Sequence, residues 1–239
     1  MQDNYVVIDL EMTGLNAKMD KIIELGAVRV RDGKKTEVFS AIINPQRKIS
    51  EQITELTGIT NEMVEQGEDE DAAITDFLEF LGEDILVGQN LIFDYSFLKQ
   101  WAVNHKLPLE KYAIDTLKLA RKFLPKEQKK NLESLCGYFG ITRQNAHRAL
   151  DDAIETWQIF EKLKSLYVEK EPAAFEAKVL QYKAKKQSPA TAQQLRYLTQ
   201  LAEYHKIEDL EIPENITKSE ASKLTDKLIT QYGRMPHRE

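Results

Sequence analysis

Tyr5-Val6-Val7-Ile8-Asp9-Leu10-Glu11-Met12-Thr13-Gly14 is the stretch on which the fold turns. Residues 5–10 form a short apolar run rich in β-branched side chains, the pattern of a buried strand, and Gly14 marks the turn that ends it. Two more strand-like runs follow at 22–30 and 37–43, separated by Asp32-Gly33, a dipeptide that suits a tight hairpin. An antiparallel meander of three strands is therefore expected at the N-terminus. Beyond it the period changes. The acidic run Glu68-Asp69-Glu70-Asp71 precedes Ile74, Phe77, Leu78 and Leu81, whose spacing makes one apolar helix face with acids at its positive end. Ile85-Leu86-Val87 is a short buried strand that leaves through Gly88-Gln89-Asn90, and 93–104 has helical periodicity. Another apolar segment ends at Ile114. Asn131 caps a helix carrying Leu132, Leu135 and Phe139 that stops at Gly140, and a last strongly periodic helix carries Ala149, Ala153, Trp157, Phe160 and Leu163. This order predicts an α/β architecture: one mixed sheet, a three-strand antiparallel meander plus parallel strands, flanked by helices.

At 239 residues the chain has room for one ordinary domain and a small appendage. Hydrophobic residues at 42% supply a core and charged residues at 30% a solvated surface, which excludes disorder throughout. No apolar run is long enough to span a bilayer, and the N-terminus lacks a signal-peptide pattern, so the expected location is the cytoplasm, with no membrane partner. A single cysteine, Cys136, excludes an internal disulfide framework and a cysteine-built zinc site; beside Leu135 and Phe139 it reads as core. The net charge of −6 argues against a protein coated in positive charge for nucleic acid, but leaves room for a local basic path.

Composition changes after about Leu166. Residues 177–202 contain Lys178, Lys183, Lys185, Lys186 and Arg196 and no acid, and Ser188-Pro189-Ala190 breaks any helix. Two capping boxes, Thr191-x-x-Gln194 and Thr217-x-x-Glu220, each open a short amphipathic helix, with a turn at Ile212-Pro213-Glu214-Asn215 between them. The chain thus divides into a main domain at 1–168, a basic linker at 169–190 and a small C-terminal helical module at 191–239. The basic segment reads as a solvated linker or, alternatively, as a source of phosphate contacts for a strand entering the main domain.

Three separate segments carry chemistry. Asp9 and Glu11, two residues apart on a strand, leave it on the same face, where two carboxylates repel unless a cation joins them. Asp94, in Asn90-Leu91-Ile92-Phe93-Asp94, follows a buried strand where sites assemble, although an ordinary helix cap reads the same way. His147 precedes Asp151 and Asp152 by four and five positions, so either acid can share a site with it one helical turn away. His105, His205 and His237 look like surface or helix-end residues, which leaves His147 as the candidate base. Oxygen ligands from three segments, with one histidine, suit Mg²⁺ or Mn²⁺ better than zinc.

In this order and on this pattern the segments resemble the DEDDh (DnaQ-like) family of 3′→5′ exonucleases, which includes the proofreading subunits and domains of bacterial replicative polymerases such as DNA polymerase III. The resemblance covers about residues 4–168. The family's Asp-x-Glu-Thr-Thr-Gly strand end appears as Asp9-Leu10-Glu11-Met12-Thr13-Gly14, followed by the family-like Lys21-Ile22-Ile23-Glu24-Leu25-Gly26-Ala27-Val28. The second motif appears as Asn90-x-x-Phe93-Asp94, and His-x-Ala-x-x-Asp-Ala as His147-Arg148-Ala149-Leu150-Asp151-Asp152-Ala153.

The resemblance implies a ribonuclease H-like fold and a two-metal phosphodiester hydrolysis. Asp9, Glu11, Asp94 and Asp152 would hold two divalent ions, Mg²⁺ or Mn²⁺, and His147 would act as general base, with Asp151 a neighbour and Asp115 a support of the fold. Thr13, Gly14 and Leu15, with Asn90, Phe97 and His147, would contact substrate. Met12 stands where the family has its first threonine, as it does in oligoribonucleases, and Gln89 where many relatives have histidine. The expected substrate is the 3′ end of single-stranded DNA or RNA, with DNA favoured, and the expected protein partner is a DNA polymerase or another replication or repair protein. The competing readings are an oligoribonuclease-like enzyme for short RNA and a catalytically inactive nucleic-acid or polymerase-binding module.

Overall fold

The computed structural model describes residues 3–143, 145–207, 210, 212–213 and 216–235. They fall into two compact units, divided between Ala184 and Lys185.

The first unit is built on a six-stranded sheet. β1 (Tyr5–Met12), β2 (Ile22–Arg31) and β3 (Lys34–Ile42) form the expected antiparallel meander, with β1 running two residues further than its apolar run. Asp32 and Gly33 both take positive φ at the hairpin, as a tight turn there demands. β4 (Leu86–Gly88) and β5 (Tyr112–Asp115) add in parallel on the other side of β1, and β6 (Lys178–Val179) closes the edge antiparallel to β5. The sheet order is β3-β2-β1-β4-β5-β6.

Both faces are covered, which is why these strands are apolar almost throughout. One face of β1 (Val6, Ile8, Leu10, Met12) packs with α3 (Glu70–Leu81) and α4 (Ile92–Asn104). The other (Tyr5, Val7) packs with α6 (Leu132–Phe139) and α7 (Ala149–Tyr167), and also with α5 (Thr116–Phe123), which starts directly after β5. Asp69 caps α3, and Asn131 and Gly140 bound α6 as expected. Cys136 is buried, and burial pushes its thiol up to about 12, so it packs rather than reacts. Two short helices, Glu51–Thr57 (α1) and Asn61–Glu65 (α2), cross over between β3 and α3.

Of the stretch read as a linker, 169–184 falls in this unit and 185–190 in the second. Phe175 is buried beside Phe160 and stacks on Phe123 at 5.8 Å, and the Leu180 N–H donates to the Lys111 carbonyl at 2.9 Å, so the chain from 172 to 182 continues the sheet and its core. The second unit is a helical hairpin, Ala192–Tyr204 (α8) and Lys218–Tyr232 (α9), closed over Leu198, Leu201, Ile216, Ala221 and Leu228. Both capping boxes form. Parts of the expected 212–215 turn, together with His237, lie outside the described residues. Among the described residues no helix is long and apolar enough to cross a membrane.

Candidate active site

The carboxylates converge at the C-terminal end of β1. In that strand Leu10 and Met12 point into one core, so Asp9 and Glu11 emerge half-buried on the opposite face, beneath the start of α7. Asp94 comes from the first turn of α4 and reaches over the strand end to accept the Leu10 N–H at 3.0 Å. It is therefore not the cap of its helix; Leu91 holds that position without a side-chain bond. Asp152, in the first turn of α7, supplies the fourth acid. Ligand atoms of Glu11, His147 and Asp152 lie within 4.8 Å of one another, and Asp9 feels the charges of Asp94, Glu11 and Asp152 together.

This crowding is unfavourable without added positive charge. Burial first, then the neighbouring carboxylates, hold Asp9 well above the usual aspartate range. Burial, Asp152 and Glu24 push Glu11 up to about 8, partly offset by Arg148. Burial raises Asp94 to about 7 against the opposing pull of its backbone donors, the Leu10 N–H among them. Asp152 is raised too, by burial, less the effects of Arg143 and His147. Four crowded carboxylates beside an imidazole make an oxygen-rich donor set that fits hard divalent cations.

Two devices outside the expected site residues hold the cluster together. Glu24, buried on β2 directly across from Glu11, accepts from the Arg148 guanidinium (Nη2 to Oε1 2.7 Å) and from the Ala149 N–H at 2.9 Å. It thereby pins the start of α7 over the sheet. Gly26, across from Asp9, makes that approach sterically possible: a Cβ there would lie 2.2 Å from the Ala149 carbonyl carbon. Arg143 is the second device, bonding Asp152 Oδ1 and Glu155 Oε2 at 2.6 Å each. Glu24 and Gly26 stood in the sequence within the family-like 21–28 segment, but nothing there named their partners.

The other expected residues spread around this centre. His147 and Asn90 both take φ of +60°, the left-handed region that histidine and asparagine enter more readily than most residues with a side chain. The Asn90 turn is held by Asp115, whose Oδ1 accepts the Asn90 and Leu117 N–H groups. Thr13 Oγ1 accepts the Lys21 N–H, which closes the turn after β1, and Leu15 stands 83% exposed beyond it. Gly14 lets the Asp20 carboxylate tuck against the turn, where an added Cβ would lie 2.5 Å from Oδ2. Phe97 does not reach this surface. It is buried in the core one turn behind Phe93, against which it packs edge-on at 5.6 Å, and Phe93 instead lines an open groove together with Leu15 and Asn90. Asp151 accepts from Asn145 and Gln89 bonds Thr116 and the Lys130 carbonyl. Met12 is buried in the core on the face opposite Glu11.

Comparison with known proteins places this geometry in context. The sequence model of the RNase_T exonuclease family matches residues 6–160. DNA polymerase III subunit epsilon of Aquifex aeolicus is 38% identical over 169 residues, covering 68% of this chain and 84% of that protein. The PolC-type DNA polymerase III of Clostridium perfringens is 40% identical over 166 residues, and there the matched region spans 68% of this chain but only 12% of the relative's length. Among solved structures, exonuclease X in complex with 5′ overhanging duplex DNA superposes with a TM-score of 0.56 at 28% identity, covering 68% of this chain and 92% of that one.

Proposed function

Because the chain belongs to the exonuclease family, among its DEDDh 3′→5′ enzymes, we propose that it removes nucleotides from the 3′ end of single-stranded nucleic acid, DNA in preference to RNA, as nucleoside 5′-monophosphates. The observation that carries this reading is the convergence of Asp9, Glu11, Asp94, Asp152 and His147 at one strand end. Asp9, Glu11, Asp94 and Asp152 would hold two divalent ions, Mg²⁺ or Mn²⁺, which when bound supply the Lewis acidity that activates water and stabilises charge on the phosphate. His147 accepts the proton of the attacking water at a ring nitrogen; the water oxygen bonds the phosphorus as the bond from phosphorus to the 3′-oxygen of the preceding nucleotide breaks, and that oxygen takes up a proton from solvent to leave a shortened strand with a 3′-hydroxyl. Thr13, Gly14, Leu15 and Asn90 orient the terminal nucleotide beside this cluster. Arg148 and Glu24 fix the His147 turn against the sheet.

Neither departure from the family's motifs removes a group from the centre: Met12 faces the core and Gln89 is engaged with Thr116 and Lys130. This favours an active enzyme over an inactive binding module. The likeness to a polymerase III subunit supports a polymerase as partner and the cytoplasm as place of action. The chain spans only 12% of the PolC-type relative's length, so polymerisation is not carried over to it.

Hydrolysis of a 3′-labelled single strand, with product analysis on matched DNA and RNA, tests the reading. Activity should require Mg²⁺ or Mn²⁺ and disappear with chelator and in Asp9→Ala, while His147→Ala lowers kcat by about 10²-fold or more. Full activity of a folded Asp9→Ala protein refutes the assignment.

A further inference from the structure

Next to the catalytic cluster lies an open groove of about 450 Å³, a size suited to a small organic group, lined by Leu15, Ala17, Asn90, Phe93, Ser96 and Tyr182 among others. Five of these six belong to the turn after β1 or to the start of α4 and its approach. Tyr182 does not. It lies beyond residues 6–160, on the stretch that follows β6, and it enters the groove because that stretch is anchored: β6 pairs with β5, and the Leu180 N–H bonds the Lys111 carbonyl. From there side chains alternate. Leu180 and Tyr182 turn inward and pack on the core, while Val179, Gln181 and Lys183 face solvent. Phe93, braced edge-on by Phe97, and the exposed Leu15 are the other apolar surfaces of the groove, and Asn90 and Ser96 its polar ones.

Building on the exonuclease reading above, we propose that Tyr182 is a substrate-holding residue on which a base of the single strand stacks as the 3′ end enters the site. Flat apolar surfaces with amide and hydroxyl groups between them match a nucleobase, which presents a π-face and a polar edge. Lys178 and Lys183, both exposed on the same stretch of chain as the tyrosine, favour a polyanionic occupant. A helix or strand of another protein would leave those lysines and the neighbouring carboxylate cluster unused, whereas a strand end engages both.

Steady-state hydrolysis of an oligothymidylate by the full chain tests this in Tyr182→Leu, which keeps an apolar side chain against the core, and in Tyr182→Phe, which keeps the ring. The leucine variant should raise KM about five- to a hundredfold with kcat within about twofold of wild type, and the phenylalanine variant should restore wild-type KM. Thermal melting checks that both are folded. A folded leucine variant with wild-type KM, or a loss confined to kcat, overturns the proposal and leaves the exonuclease reading intact. A wild-type chain that hydrolyses no strand removes that reading, and this one with it.

Discussion

Glu11 faces Glu24 across the β1–β2 ladder, and the two acids are treated differently. Arg148 grips Glu24 directly, whereas Glu11 feels that guanidinium only at a distance and is pushed from 4.5 to about 8 by burial and by its acidic neighbours. Asp94 rises from 3.8 to about 7. An acid whose folded pKa is raised binds its proton more tightly in the folded chain than in the unfolded one. Its contribution to stability is therefore complete below about pH 4 and is lost as pH climbs through 7 and 8. The melting temperature of the protein in chelator should accordingly fall between pH 5 and pH 8. Saturating Mn²⁺ should flatten that fall, because the cation replaces the protons. Glu11→Gln should weaken the dependence in chelator. A profile in chelator that is flat over this interval contradicts the electrostatic account of the cluster. The acids themselves were legible in sequence, since two-residue spacing on a strand and turn spacing on a helix put them on definable faces. Glu24 and Arg143 were not, because each acts on a partner that only the fold brings near.

The element that aligns the site is α7, laid across β1 and β2 with its first turn over the carboxylates. Its position depends on the absence of a side chain at Gly26, where a methyl group would collide with the Ala149 and Leu150 backbone. Gly26→Ala should lift the start of this helix, lowering stability by about 3 kcal/mol in urea denaturation, and should cut kcat because Asp152 and His147 move with it. Unchanged stability would show that α7 has room to spare. The long elements, α3, α4 and α7 and the meander, announce themselves through sustained periodicity, capping residues and a hairpin dipeptide. α1 and α2, at seven and five residues, are shorter than the window in which a helical period can be recognised. β6 pairs over two residues, and its lysine and valine are exposed, so it carries no burial pattern at all. It exists because β5 leaves an unpaired edge that passing backbone can satisfy.

For the whole molecule, that edge strand moves the boundary of the nuclease unit. Composition places a linker at 169–190, but Phe175 and the 178–182 segment complete a core and a sheet, and the compact units divide after Ala184. The net charge of −6 changes meaning in the same way: part of the acidity is the proposed metal site, and lysines at 178 and 183 belong to the nuclease unit. Two truncations separate these descriptions. A chain ending at Ala184 retains the sheet, the hydrophobic cores packed on it and Tyr182, and should keep the melting temperature and kcat of the nuclease unit. A chain ending at Leu166 loses the ring of Phe175 from between Phe160 and Phe123, a deletion that costs about 3–5 kcal/mol by itself, and leaves β5 without its β6 neighbour, paired with β4 alone. It should melt well below the longer fragment and, where it remains folded, bind strand more weakly for want of Tyr182. Equal melting temperatures and equal KM for the two fragments would mean that residues 167–184 connect the units and do nothing for either fold or substrate.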